Sequence, residues 1–458
     1  MLTQTQAAEI FSKLKQHSSA DELEVIFYST RNALTRFANN IIHQNMAEEN
    51  VVVSVRAAFG QRTARATTNK LDEDSLRRAV QASESLAKVQ HPDPDLLPCS
   101  AGASARENLP QRHFPQSAEL TPELRAKTVK VIVAVAEENQ LTTAGIFSNS
   151  ESAEGVFNSR GLATWHTQTS SEISITMLGT DASGWQKANS PNVSNLDAVN
   201  LAETAARKAR ESVKPREIPP GKYTIILEPA AVLDIVGFMF YDFGGMALLD
   251  QRSFLNDRVG KQVFGTNINI TDDVCHPLQS GSPFDGEGMP RQKVQLVENG
   301  VIKRLVYARA TAERMKKSEY KDKVGPIQPT GHGFPLPNEI GEAPMNIVFG
   351  TPQNPQTIER MIASTDRGVL VTRLWYIREV DPYEKILTGM TRDGTFLIEN
   401  GKLCGGIRNF RFNESLIQML SNVEAMGTPV RASGEESFDM VVPAMKVKQF
   451  NFTEVTKF

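Results

Sequence analysis

Apolar residues recur along this chain with two different periods, and the changes of period mark its elements. Ala7, Ile10, Phe11 and Leu14 fall on one helical face, with Thr3 or Thr5 placed to cap it. Residues 22–28 then alternate apolar and polar, 33–37 form a second short run, and 51–59 and 62–67 lie either side of Gly60-Gln61. Alternation at every second residue turns one face toward a core, so these read as strands, the last two as a hairpin. Helical spacing returns over 72–89, where Leu76, Ala79, Val80 and Leu86 form the apolar stripe. Strands followed by a helix that must bury one face predict a packed α+β layer.

The pattern dissolves over 91–121, a stretch rich in Pro, Ala and Ser that reads as a linker or long surface loop. Residues 122–139 resume a helix, with Leu124, Val129, Val131, Ile132, Val135 and Ala136 at its apolar positions. Between 141 and 188 the alternation predicts four or five short strands, such as 172–177, and 196–213 reads as another helix. Pro219-Pro220-Gly221 cannot continue a helix and sets the expected boundary between domains 1–220 and 221–458.

The second half opens with a strand at 223–227 and a mostly apolar run at 230–249. About 20 apolar residues suffice to span a bilayer, but this run carries Asp234, Asp242 and Gly244-Gly245. A centrally placed acid costs about 2.5–3.5 kcal/mol on insertion scales, so a buried helix of a soluble core is expected instead. Further on, Asn299-Gly300 and Asn400-Gly401 mark two hairpins, because Asn-Gly accepts the positive φ that both central residues of a type I′ turn need. Short helices are expected at 357–362 and 416–423, and the charged run 313–323 reads as a solvated helix end and loop. The predicted fold class is α+β: an N-terminal mixed domain with an antiparallel sheet and packed helices, then a mostly β C-terminal domain with a buried helix.

Composition narrows the function. The 458 residues exceed one ordinary core. Fifty basic residues against 53 acidic ones leave a net charge of −3, so no general attraction to nucleic acid or anionic membrane is expected. Cys99, Cys275 and Cys404 form no CxxC pair and fit a reducing compartment. The opening MLTQTQAAEIFSKLKQ lacks the basic, apolar and small-residue regions of a signal peptide, which together with the cysteines predicts a cytoplasmic protein.

Familiar chemistry is missing from the motifs. No histidine is followed by glutamate and no two sit at helical ligand spacing, so a helix-borne zinc site of the HExxH kind is absent. The phosphate-binding and nucleophile-elbow glycine patterns are absent too. Gly331-His332-Gly333 reads as part of a mobile loop, Cys275-His276 as a turn before Pro277, and Asp272-Asp273 and Asp285-Gly286-Glu287 as turn-forming acids.

Several stretches nevertheless carry a resemblance. Residues 374–412, reading LWYIREVDPYEKILTGMTRDGTFLIENGKLCGGIRNFRF, resemble the TldD/PmbA family, once described as modulators of DNA gyrase. The segments 252–260 (RSFLNDRVG) and 284–290 (FDGEGMP) are similar to the family pattern, as is the N-terminal order of helix, strands and helix. In that family the protease-type subunit carries His-Glu-x-x-x-His on the helix after the first strand of the C-terminal domain, with a cysteine near the C-terminus as third zinc ligand. Here the corresponding helix begins Glu228-Pro229-Ala230-Ala231-Val232 and contains no histidine, and the C-terminal segment reads Arg431-Ala432-Ser433-Gly434. Zinc hydrolysis needs ligands that fix the metal and a base for its water, and Glu228 alone supplies neither.

The departure resembles the PmbA, or TldE, type. It implies a chain with no metal or other cofactor and no catalytic residues of its own. Such a chain pairs with a TldD-type zinc subunit or with itself, and extended peptides are the substrate, bound by strand addition to a sheet edge. Alternatives are an autonomous peptidase with an unrecognised site, and a regulatory protein acting on a topoisomerase. Candidate cavity or substrate contacts are Glu228, Asp242, Arg252, Asp285, Glu287, Tyr376, Arg392 and Asp393. Arg392-Asp393-Gly394 also reads as a tight turn, Tyr376 as a packed aromatic, and Arg252 and Phe254 as cavity wall or core.

Overall fold

The computed structural model describes residues 1–102 and 109–456. Helix α1 (Gln4–His17) starts at Thr3, whose side chain accepts from the Gln6 amide while the Gln6 side chain returns to the Thr3 amide. Strands β1 (Glu22–Ala38), β2 (Ile41–Phe59) and β3 (Arg62–Thr68) follow, then α2 (Glu73–Val89), capped by Asp72. Next come α3 (Pro115–Ala118), α4 (Pro122–Glu138), β4 (Thr142–Asn158), β5 (Ala163–Leu178), β6 (Ser183–Ser190) and α5 (Ala198–Glu211). The strands form one antiparallel sheet in the order β3-β2-β1-β4-β5-β6. One face of it is covered by helices. Leu14, Leu76 and Val80 of α1 and α2 pack with Val25 and Phe27, while Ile132 and Ala205 of α4 and α5 pack with Phe37 and Phe147.

The strands are longer than the apolar pattern suggests. In place of two runs at 22–28 and 33–37, β1 is unbroken, because its polar middle is paired by β2 on one side and β4 on the other. The Val-rich strand begins at Ile41 for the same reason, and three long strands replace the four or five short ones expected over 141–188. Backbone pairing continues where side chains give no periodic signal. Leu86, Leu124 and Val131, expected on helix stripes, are solvent-exposed. The linker expected over 91–121 includes α3, and its residues 103–108 lie outside the described residues.

The second half begins with β7 (Gly221–Leu227) and α6 (Pro229–Val236). The buried helix expected over 230–249 is buried but broken: α6 gives way to a 3₁₀ turn (Gly237–Phe243) and then α7 (Gly245–Leu249). Strands β8 (Ile270–Asp272), β9 (Val294–Glu298) and β10 (Val301–Ile302) precede α8 (Arg309–Lys317), β11 (Ile347–Phe349) and α9 (Ile358–Ala363). Strands β12 (Arg367–Asp381), β13 (Ile386–Glu399), β14 (Lys402–Gly406) and β15 (Phe410–Ser415) lead into α10 (Leu416–Ser421). The chain closes with β16 (Val423–Met426), β17 (Val430–Ala432), β18 (Met440–Val442) and β19 (Met445–Val455).

Two sheets result. One runs β10-β9-β8-β11-β18-β17; in the other, β12-β7-β19-β15-β13 closes on itself because β12 also pairs with β13. Closure removes free edges and encloses a core that includes Val369, Phe410, Phe412, Val447 and Phe452. The two Asn-Gly hairpins form where expected: Asn299 and Gly300 have φ of 49° and 76°, Asn400 and Gly401 of 51° and 74°. The molecule is therefore mixed α+β with an antiparallel N-terminal sheet and a mostly β C-terminal half. No helix among the described residues is long and apolar enough to cross a membrane.

The helix-free face of the N-terminal sheet meets the second half through a small apolar cluster of Val156, Leu162 and Phe284 and through polar contacts. Arg65 donates to the Leu336 carbonyl at 2.6 Å, Gln168 accepts from the Gly281 amide at 2.8 Å, and Lys187 donates to the Gly434 carbonyl at 2.8 Å.

Candidate functional site

Strand β7 leads into α6 through Glu228, which is extended and followed by Pro229 at the first helical position, where a missing N–H costs nothing. The Glu228 carboxylate is an ion-pair partner rather than a free base: Lys208 of α5 lies 2.6 Å from it. Helix α6 is apolar except for Asp234, which is completely buried. Its Oδ1 accepts the amides of Glu435 and Glu436, each at 2.9 Å, while Oδ2 has no hydrogen-bond partner among the described residues. Burial pushes this carboxyl up to about 7, with the Glu435 and Glu436 charges adding to the rise and the two amides opposing it.

Two glycines permit this approach. A Cβ on Gly434 would collide with Asp234 Oδ1, and one on Gly237 would collide with the Ser437 hydroxyl. The segment 433–438 is thereby clamped onto α6 and the turn after it. Glu435 reaches Lys187 of β6 at 3.5 Å and Arg373 of β12 at 3.9 Å. Arg373 in turn pairs closely with Asp393 and lies 4.7 Å from the Trp185 ring centre, so β6, β12 and β13 converge on this loop.

A cleft of about 790 Å³ opens beside the clamp, between the 3₁₀ turn, segment 436–438 and the end of β12. Of the sequence candidates, Asp242 and Arg252 line it. Asp242 sits 2.5 Å from the buried Lys385 ammonium, which also approaches Glu379 at 2.6 Å. Burial raises the Asp242 carboxyl and Lys385 opposes the rise. Phe254 belongs to the core behind. Tyr376, at φ 56°, is half-exposed rather than packed, its amide donating to Glu436 at 2.7 Å.

The remaining candidates lie elsewhere. Arg392-Asp393-Gly394 is no turn: it is a bulge inside β13, where Asp393 and Gly394 take φ of 50° and 123° opposite the register shift between Val371 and Arg373. Arg392 lies exposed, 4.8 Å from the Trp375 ring centre. Asp285 and Glu287 form a separate buried pair against Gly333. Asp285 accepts the amides of Glu287 and Met289 at 2.9 Å and of Gly333 at 2.7 Å, and burial still raises its pKa. Burial, then the Asp285 charge, pushes Glu287 up to about 7. The Gly331-His332-Gly333 stretch, expected to be mobile, is packed down by these bonds, with His332 buried 3.0 Å from Asp272.

The family pattern described as the PmbA/TldA metallopeptidase C-terminal domain matches residues 220–454, and that of PmbA/TldA metallopeptidase domain 1 matches 23–87. The chain belongs to the PmbA/TldD family. It is 22% identical to a metalloprotease PmbA homolog of Haemophilus influenzae, covering 86% of this chain and 85% of that protein. To metalloprotease PmbA of Escherichia coli O157:H7 it is 21% identical, covering 87% of each. The crystal structure of TldE from Thermococcus kodakarensis superposes with a TM-score of 0.85 over 98% of this chain and all of that one, at 19% identity, which establishes a shared fold.

The zinc that membership of this PmbA/TldD family implies does not fit the residues present. Helix α6 and segment 431–434, the two places where the resemblance puts ligands, do meet in space where Gly434 packs on Asp234, but neither carries an imidazole or thiolate, and Asp234 bonds the backbone amides just beyond that segment. Asp234 Oδ1 is already committed to two N–H donors, and no three His, Cys, Asp or Glu converge as ligands among the described residues. Sequence reasoning treated Asp234 only as an obstacle to membrane insertion and overlooked Glu379, Lys385 and Glu436. A lone acid inside an apolar run was the available signal for Asp234.

Proposed function

We propose that this chain is a non-catalytic, PmbA/TldE-like subunit of a TldD/TldE-type metalloprotease, pairing with a zinc-bearing subunit in the cytoplasm to process unfolded or extended peptides. The meeting of α6 with the segment around Gly434 supports this reading: next to where the resemblance would put zinc ligands, the Asp234 carboxylate is bonded to the Glu435 and Glu436 amides. That arrangement holds a loop and leaves no open coordination position for a hydrolytic water. The PmbA relatives, matched over most of their length, support the assignment to a protease system.

Metal content and peptide hydrolysis, measured on this chain alone and mixed with a TldD-type subunit from the same organism, test it. The expected result is no stoichiometric zinc and no cleavage alone, with cleavage in the mixture. Stoichiometric zinc, or chelator-sensitive cleavage by the lone chain, overturns it.

A further inference from the structure

Exposed large apolar side chains are scattered over most of this surface, but three gather at one place: Tyr241, Ile340 and Tyr383 line the 790 Å³ cleft, each about half exposed. Phe238, Phe438 and Pro382 continue the same wall inward. A contiguous apolar patch set in a concave surface of this size marks a binding site rather than chance exposure. Local backbone supports that purpose. Tyr376 and Ile377 form a bulge against the single residue Gly389, the device by which a strand re-aims a side chain next to a site.

The charges of the cleft do not cancel. Lys385 is held between Asp242 and Glu379, two carboxylates to one ammonium. Arg252 turns to Asp250 at 2.8 Å. Glu436 accepts the Tyr376 amide through Oε1, and among the described residues Oε2 pairs with the solvent-exposed Arg378 at 3.7 Å, beyond hydrogen-bond distance. The residual field is negative, and Glu436 Oε2 is where an added cation gains a short charge-assisted bond.

We propose that this cleft binds an extended polypeptide segment carrying a bulky apolar side chain next to a lysine or arginine. The apolar group fills the space between Phe238, Tyr241, Ile340 and Phe438, and the cation docks on Glu436. This deepens the peptide-processing reading and rests on it: the chain selects which segment of an unfolded substrate is presented to the zinc-bearing partner.

The test is direct binding to the full chain alone, so it needs neither a partner nor cleavage. Fluorescently labelled Gly/Ser decapeptides carrying Phe-Lys, Phe-Glu or Ser-Lys at the centre are titrated by anisotropy. The Phe-Lys peptide is expected to bind about tenfold tighter than either other peptide, the worth of one charge-assisted contact or one buried ring. Glu436→Gln, which keeps the acceptor for Tyr376, should erase the Lys-over-Glu preference and leave the Phe-over-Ser preference. Tyr241→Ala, at a half-exposed site in the apolar wall, should do the reverse. Equal affinity for all three peptides overturns the proposal. So does loss of binding as protein concentration rises with dimer visible by light scattering, which would make a second copy of this chain the occupant. Reconstituted cleavage with a zinc subunit reads the subunit assignment separately, so either idea can fail without the other.

Discussion

Glu24 in the N-terminal sheet and Asp234 in α6 are both buried carboxylates, and the molecule treats them in opposite ways. Glu24 is gripped by two guanidiniums, Arg56 at 3.0 and 3.1 Å and Arg65 at 2.7 Å. Burial is the largest influence on it and raises its pKa, yet the two arginines together outweigh burial and the carboxyl ends below its ordinary range. Asp234 has amides but no cation, and burial wins, leaving it near 7. The first arrangement is cohesive: Arg65 also bonds the Leu336 carbonyl, so a fixed charge ties the sheet to the second half. The second clamps a cleft wall with a group that changes charge close to neutral pH.

The largest expected effect breaks the cohesive side. Glu24→Ala strands two arginines without their anion, and breaking a buried pair this way costs about 3–5 kcal/mol. Urea unfolding of the variant measures it; a loss below about 1 kcal/mol would mean the pair is replaceable by water. Next is Gly434→Ala. Its Cβ would collide with Asp234 Oδ1 and approach Leu233 Cδ2 at 2.7 Å, an overpacking worth about 1–3 kcal/mol. Adding Asp234→Ala should remove the part of that penalty due to Oδ1 and leave the Leu233 contact, so the two losses should be less than additive. Additive losses would show that the clash lies elsewhere.

A smaller effect separates the two sites by pH. Asp234, Glu287 and Glu342 sit at about 7 in the folded chain, each raised first by burial, and ordinary carboxyls in the unfolded chain ionise near 4. Between those values the folded state keeps protons that the unfolded state has released, so stability rises as pH falls through 7. From pH 8 to 6.5 the three together add about 2 kcal/mol. From about pH 7 downward the buried His166, held down to about 4, works against them, since unfolding then takes up a proton, and by pH 6.5 it offsets about 0.4 kcal/mol of the gain. Glu24 and Asp272, both lowered, lose their contribution only under more acidic conditions. The melting temperature should therefore be higher at pH 6.5 than at pH 8; an unchanged or lower value rejects the assignment.

Much of the fold was legible because it is locally encoded. Thr3, Asp72 and Pro122 mark helix starts, and the two Asn-Gly pairs mark hairpins, all by chemistry within four residues. Strand length was not, since residues 29–32 and 41–50 carry no apolar period and are strand through backbone pairing, 41–50 with β1 across the Asn39-Asn40 turn and 29–32 with β2 and β4. The same limit hid the site. Asp234 and Glu436 are joined across two hundred positions of sequence. The bulges at Tyr376 and Asp393 depend on a register between β12 and β13 that no single strand reveals.

The smallest effect isolates Asp234 itself. In Asp234→Asn the Oδ1 atom still accepts the Glu435 and Glu436 amides, so the clamp keeps its shape while the titrating group is gone. The new amide nitrogen takes the place of Oδ2, which has no hydrogen-bond partner among the described residues, and leaving it unsatisfied costs about 1–3 kcal/mol. At pH 8 this opposes the gain from removing a buried charge, so the absolute stability change is a poor readout. The pH response is a clean one. Chemical unfolding at pH 8 and 6.5 should show the variant losing about a third of the wild-type response, on the order of 0.7 kcal/mol. A variant that keeps the whole response would place the neutral-range titration on Glu287 and Glu342, and would make Asp234 a fixed clamp like Glu24.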